Sequence, residues 1–343
     1  GLKMKFRSAR LAAIATLASL SLQVSAFAQS DVFDKPITIY VAGTAGGGID
    51  LLARAVARHL GKHLPGTPNV VVQDMPGAGG IRAANFIAET APRDGTALGT
   101  FAGGPVIEPL IGARNPGYDM SKFTWIGTVS KDVGICLSYG TTPFKTIEDL
   151  RNKEMIVAGT GAGSDSDIYP VIMNELMKTK IKLITGYLGT KETIMAIENG
   201  EAHGRCSVVY SAIKMAKPDW VRDKKINIIM QFGLEKARDL PDVPLALDYV
   251  TNPDDRQMLE LLMATTAIAR PFMAPPGIPE QRARALRRGF DATMKDPAFL
   301  DEAKKLMLDV EPTSGEEAQK IVEKMYATPK PVVERLKKLL GGG

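Results

Sequence analysis

The sequence predicts an α/β fold of two lobes, each a mainly parallel sheet flanked by helices, with a cleft between them. Three observations carry that expectation. β-Rich runs alternate with segments of helical periodicity, the alternation occurs in two separate sets, and two long extended segments lie where a chain crossing between lobes would run. At 343 residues, with 45% hydrophobic and 24% charged side chains, the chain is long enough for two compact domains.

The first set begins after Pro36. "ITIYVAG" (37 to 43) reads as a strand and "IDLLARAVARHLGKHL" (49 to 64) as a helix, with Leu52, Val56 and Leu60 on one face and Arg54, Arg58 and Lys62 opposite. A strand "NVVVQDM" (69 to 75), a glycine turn "PGAGG" (76 to 80) and a helix "IRAANFIAETA" (81 to 91) follow. The second set comprises a strand "EMIVAGTG" (154 to 161), a helix "DIYPVIMNELMKT" (167 to 179), a strand "IKLITGY" (181 to 187) and a helix "TKETIMAIENG" (190 to 200). Between the sets "FTWIGTVSKDVGICLSYG" (123 to 140) is mostly extended, and "ATTAIARPFMAPPGIP" (264 to 279) is a similar run, after which only helices are expected. Two crossings imply a discontinuous lobe, residues 29–128 and 265–343, and an inserted lobe, residues 129–264.

Residues 1–28 read as a secretory signal peptide. Lys3, Lys5, Arg7 and Arg10 precede the apolar run 11–22, and Ala26 and Ala28 place small residues before a cleavage after Ala28; Met4 is the expected start. The apolar run is too short to span a bilayer comfortably. Losing the leader removes four of the charges behind the formal +5, so the mature chain is close to neutral, and without clustered basic and aromatic residues it offers nucleic acid no footprint. Cys136 and Cys206 are open to two readings, one disulfide in an oxidising compartment or two buried thiols.

A strand passing through a glycine turn into a helix leaves the first helical N–H groups unpaired and adds the positive end of the helix dipole, which favours an anion. "GTAGGGID" (43 to 50) and "GTGAGSDSD" (159 to 167) occupy equivalent places in the two sets, and "PGAGG" adds a third such turn. Nucleotide-binding and hydrolase motifs are missing: the first turn lacks both the G-x-G-x-x-G spacing and a terminal G-K-[ST], and no G-x-S-x-G elbow occurs. His59 and His63 lie four apart without the glutamate of a zinc-protease helix and read as packing residues. "SDSD" (164 to 167) lacks calcium-loop spacing, leaving Ser164 or Asp165 as a helix N-cap. No metal, cofactor or catalytic residue is expected.

Taken together, "AGGGIDLLARAVARHL", "VVVQDMPGAGGIRAANFIAETAPRDG", "FTWIGTVS", "GTGAGS", "GYLGT", "LPDVPL" and "APPGIPEQRARALRRGFDATMKDPAF" resemble the Bug (TctC-like) family, the periplasmic solute-binding receptors of tripartite tricarboxylate transporters. The resemblance implies a periplasmic-binding-protein clamshell, monomeric and non-enzymatic. It would hold a small organic acid between its lobes and deliver it to two integral membrane transporter subunits. It also implies ligand-binding positions: Thr44, Ala45, Gly46, Gly47, Gly48 and Asp50 in the first turn, Gly103 and Gly104 beyond the next strand, Gly161, Gly163 and Ser164 in the second turn, and Tyr187 with Gly189 in "GYLGT". Asp50 is equally readable as a dipole complement, and Tyr187 as a core residue. The chain departs from the family at Ala42 and Gly43, where a proline and an aromatic are common, at Asp167 in place of a histidine, and at His203 in place of an acid. A secreted co-receptor for a signalling partner is the alternative use of the same architecture.

Overall fold

The computed structural model describes residues 31–341 except 44, 47, 102, 113–115, 161–163, 188 and 189, so the expected leader lies outside the described residues. The strands form two separate sheets. The first contains β1 (Ile37–Val41), β2 (Val70–Asp74), β3 (Ala97–Thr100), β4 (Thr124–Thr128), β10 (Pro271–Ala274) and β11 (Thr313–Ser314), in the order β11-β4-β10-β3-β1-β2. The second contains β5 (Gly134–Tyr139), β6 (Met155–Ala158), β7 (Ile181–Ile184), β8 (Gly204–Val209) and β9 (Ile226–Phe232), in the order β7-β6-β8-β5-β9. Helices cover both sheets, the two-lobed α/β plan expected from the sequence.

The sheets are mixed, which corrects the expectation of mainly parallel ones. β1 runs parallel to β2 and β3, and β6 parallel to β7 and β8, whereas β10 is antiparallel to β3 and β4, and β5 antiparallel to β8 and β9. The reason is the crossing itself: β4 carries the chain out of the first sheet and β10 brings it back, so neighbours in space point opposite ways. The crossings run side by side, with the Asp132 amide donating to the Thr266 carbonyl at 3.1 Å and the Val129 amide to the Arg270 carbonyl at 3.2 Å.

Helix α1 (Gly48–Leu60) follows β1 as its periodicity predicts. Leu52, Val56 and Leu60 are fully buried, each contributing about 1.5–3 kcal/mol. His59 and His63 join side chains at 2.7 Å and 2.8 Å with Glu302 and Asp296, so they dock α1 against α11 (Pro297–Lys305) through hydrogen bonds as well as packing. Further helices are α2 (Ile81–Glu89), α3 (Gly104–Ile111), α4 (Ile147–Asn152), α5 (Asp165–Met177), α6 (Thr190–Glu198), α7 (Tyr210–Ala216), α8 (Pro218–Arg222), α9 (Pro253–Ala267), α10 (Glu280–Thr293), α12 (Gly315–Tyr326) and α13 (Lys330–Leu339).

Two segments differ from their expected form. The run from residue 264 was expected to be extended, but α9 continues to Ala267: the Thr265 and Thr266 hydroxyls donate back to the Leu262 and Met263 carbonyls, which holds the last turn, and Arg270 at φ 56° then breaks the chain into β10. α9 packs against α3, α12 and α13. Among the later helices, Thr313 and Ser314 form a short strand pairing with Thr128 and Gly127. Cys136 and Cys206 stand opposite each other on β5 and β8, both fully buried, and are joined as a disulfide.

Candidate solute-binding site

The first glycine turn leaves the carboxyl end of β1, where ligands sit in open α/β sheets. Ala45, Gly46 and Gly48 are exposed there, while Thr44 and Gly47 lie outside the described residues. Gly46 has φ +79° with open space where a side chain would project, so its requirement for glycine is conformational. Asp50 turns inward instead of toward solvent. It is 1% exposed, its Oδ2 accepts the Gly46 amide at 2.7 Å, and Arg54 Nε lies 2.8 Å from its Oδ1. Arg54 reaches Asp74 Oδ2 at 3.4 Å, closing an Asp50–Arg54–Asp74 cluster between α1 and β2. Burial pushes the Asp50 carboxyl up, but Arg54 and the Gly46 amide outweigh it and hold it below the usual range; burial and the Asp50 charge hold Asp74 above it. The Gly46 N–H, expected to face a ligand, is therefore engaged by Asp50. Asp50 is the organiser of the turn.

Two further turns converge on the first. Gly80 has φ +101°, and a Cβ there would sit 2.8 Å from Pro105 Cγ and 3.3 Å from Ala42 Cβ, so "PGAGG" brings the ends of β1 and α3 into close approach. Gly103 is similarly close to Thr265 of α9, whereas Gly104, which opens α3, is exposed with space around it. The Tyr118 hydroxyl donates to the Pro105 carbonyl at 2.8 Å and the Tyr326 hydroxyl to the Val106 carbonyl at 3.0 Å, fixing the first turn of that helix.

The second lobe presents different chemistry. Gly161, Gly163 and Gly189 lie outside the described residues. Ser164 occupies the N-cap of α5, but its side chain makes no capping bond: the hydroxyl pairs with Ser166 Oγ at 2.9 Å and donates to Asp167 Oδ1 at 3.3 Å. Ser164 thus holds the expected N-cap position, without a side-chain capping bond. Ser166 also accepts the Thr160 amide at 3.0 Å, and the Thr185 hydroxyl donates to Asp167 Oδ2. A chain of hydroxyls thus holds the ends of β6 and β7 together. Tyr187 is half-buried against the second-lobe core and its hydroxyl donates to Glu201 at 3.2 Å, so the core reading fits it better than a hydroxyl offered to a ligand. His203 is structural as well, its Nδ1 accepting the Ile156 amide at 2.9 Å.

One charged group here was missed by the motifs. Arg205, the second residue of β8, is only 9% exposed and donates from Nη1 to the Thr190 and Thr193 hydroxyls at 3.2 and 2.8 Å. Its sequence signal was a lone arginine inside the apolar run "GRCSVV". Burial lowers its pKa against the opposing influence of Asp165 and Asp167. The Asp165 carboxyl is in turn pushed up by burial although Arg205 opposes it, while its surface remains open to solvent, as in a recess.

A cavity of about 530 Å³ also opens beside the crossings. Lys131, Asp132, Lys214, Arg238, Arg270 and Glu311 are among the residues lining it, and none of the sequence-predicted ligand residues does. Among the described residues no group of three His, Cys, Asp or Glu side chains is arranged to hold a metal ion.

The family described as "Tripartite tricarboxylate transporter family receptor" (TctC) matches residues 52–338. A UPF0065 protein of Cupriavidus necator is 24% identical over 340 residues, covering 96% of each chain. A TctC solute-binding protein from Polaromonas superposes with a TM-score of 0.69 at 19% identity, covering 88% of this chain and 99% of that one. MatC from Rhodopseudomonas palustris, solved with bound malate, gives 0.57 at 20% identity, covering 90% and 99%. With most of its length matched by the family, this chain belongs to the receptors of the tripartite tricarboxylate transporters.

Proposed function

We propose that the protein is an exported periplasmic receptor, its leader cleaved after Ala28, that closes around a small carboxylate-bearing solute and delivers it to two membrane subunits of a transporter. The observation that carries this reading is the convergence of three turns, around Ala42, Gly80 and Pro105, on one end of the first sheet, where α1 and α3 begin. Helix N-termini gathered at strand ends favour an anion. The malate held by MatC, a protein of the same fold, supports a carboxylate as that anion. The lobes divide near residue 129 and just before Pro253, earlier than the expected 265, because α9 packs on first-lobe helices and travels with them. Closure requires tighter binding to the closed form than to the open one, which contacts from both lobes supply.

Mass spectrometry of solute released from freshly purified mature protein identifies the ligand class, and thermal shifts with mono-, di- and aromatic carboxylates rank it. A true ligand at about 100 times its Kd adds roughly 2.7 kcal/mol of stability. Ser164→Trp is expected to remove that gain, and losing its bonds to Ser166 and Asp167 lowers the unliganded stability by only about 1 kcal/mol. If no organic acid shifts the wild-type melt, the receptor reading is wrong.

A further inference from the structure

The guanidinium of Arg205 is incompletely satisfied. It sits at the level of Ala158, since Val157 of β6 is in register with Gly204 of the parallel β8, and so lies at the strand ends from which the second glycine turn departs. One terminal nitrogen binds Thr190 and Thr193 at the start of α6. Nε is buried with no hydrogen-bond partner. Asp165 and Asp167, on the first turn of α5, act on the guanidinium through space. Asp167 is already engaged by Ser164 and Thr185. A buried cation with donors to spare is costly, and such a site is completed by an anion when one is present.

Arg54, the guanidinium beside the first glycine turn, is by contrast already held between Asp50 and Asp74. We infer that Arg205 is the carboxylate anchor of the second lobe, so that the receptor selects solutes whose second-lobe end is ionised over isosteres that are neutral there. Planar guanidinium donors match a carboxylate in a way that an ammonium does not. The hydroxyls of Thr190 and Thr193 hold the group in place.

The inference rests on the receptor reading, and the test separates the two. Binding of succinate, glutarate and benzoate, and of succinamate and benzamide as partly or wholly neutral counterparts, is measured by calorimetry for wild type, Arg205→Gln and Arg205→Lys. Wild type is expected to prefer the better acid over its neutral counterpart, with Arg205→Gln losing about 10- to 100-fold in affinity for the acid and little for the amide. Arg205→Lys should recover part of the charge preference. Unliganded melts of both variants establish that they fold. The Arg205 Nε–H proton resonance gives an independent reading in wild type and should move downfield when the acid is added. Wild type that binds none of the acids removes the receptor reading and this inference together. Wild type that binds an acid while folded Arg205→Gln matches it within two-fold, or an Nε–H signal unmoved by a bound acid, overturns the anchor and leaves the receptor intact.

Discussion

The two glycine turns occupy equivalent places in their lobes, yet they are held by opposite means. The first is locked by charge: Asp50 grips the Gly46 amide and Arg54, and Arg54 reaches Asp74, a cluster that closes on itself. The second is held by hydroxyls, Thr160, Ser164, Ser166 and Thr185 around Asp167, while the nearby guanidinium of Arg205 is left short of acceptors. One lobe therefore carries a pre-set turn whose guanidinium is already gripped by two carboxylates, and the other a guanidinium whose Nε has no acceptor. The same strand-turn-helix pattern has been given two electrostatic jobs.

The largest expected effect tests how tightly the first lobe is assembled. Gly80→Ala forces a side chain into a left-handed backbone at φ +101° and toward Pro105 at 2.8 Å, so strain and overpacking add to about 3 kcal/mol. Gly46→Ala meets only the conformational penalty, about 1 kcal/mol, since the space beside it is open. Denaturant melts of the two variants measure the difference. Equal losses would mean that the close approach of Ala42, Gly80 and Pro105 does not exist in solution.

Asp50→Asn comes next. It leaves the Gly46 amide with a weaker acceptor and removes the partner of Arg54, which is itself half-exposed and can return to water, so the expected loss is about 1–3 kcal/mol near neutral pH. The pH dependence has a definite sign. The Asp50 carboxyl is held below its unfolded value, so its contribution is present above pH ~4 and is lost as pH falls through the folded value. Asp165 is shifted the other way: folding favours its protonated form, an advantage lost as pH rises through its raised folded pKa. Asp165→Asn should therefore melt no lower than wild type at pH 7, while Asp50→Asn melts lower there and converges on wild type in acid. A parallel response of the two variants would erase the contrast between the lobes.

Much of this architecture was legible because it is local. Apolar residues at Leu52, Val56 and Leu60 mark the face of α1, and glycines beside β1 and β6 mark turns, since both signals depend only on neighbours in the chain. The end of α9 was misread because Thr265 and Thr266 are β-branched and look extended, whereas their hydroxyls bond back into the helix. The partner of Asp50 and Arg54, Asp74, is contributed by β2, and the burial of Arg205 depends on how β8 pairs with β6 and packs under α6. No window of sequence contains those neighbours. Reading a lone charge in an apolar strand as a question would have pointed to Arg205.

The smallest effect concerns the crossings that join the lobes. Lys214 of α7 reaches Asp239 at 3.1 Å and Asp309 at 2.9 Å, and Asp309 belongs to the chain's return through the first lobe, so this lysine ties one lobe to the other beside the cavity. Arg238 and Glu311, 3.8 Å apart, make a second tie. Both acidic partners of Lys214 are more than half exposed, which limits the pair energies to about 0–1 kcal/mol and makes them sensitive to salt. Lys214→Met should consequently leave the melting temperature almost unchanged while loosening the relation between lobes, read by small-angle scattering as a broader distribution of overall dimensions without ligand. Raising salt should produce the same broadening in wild type and little more in the variant. Because a shift of 1 kcal/mol changes an open–closed ratio about five-fold, a contact too weak to register in a melt can still set how often the receptor stands open. An unaltered distribution in Lys214→Met would assign that control to the backbone bonds of Val129 and Asp132 instead.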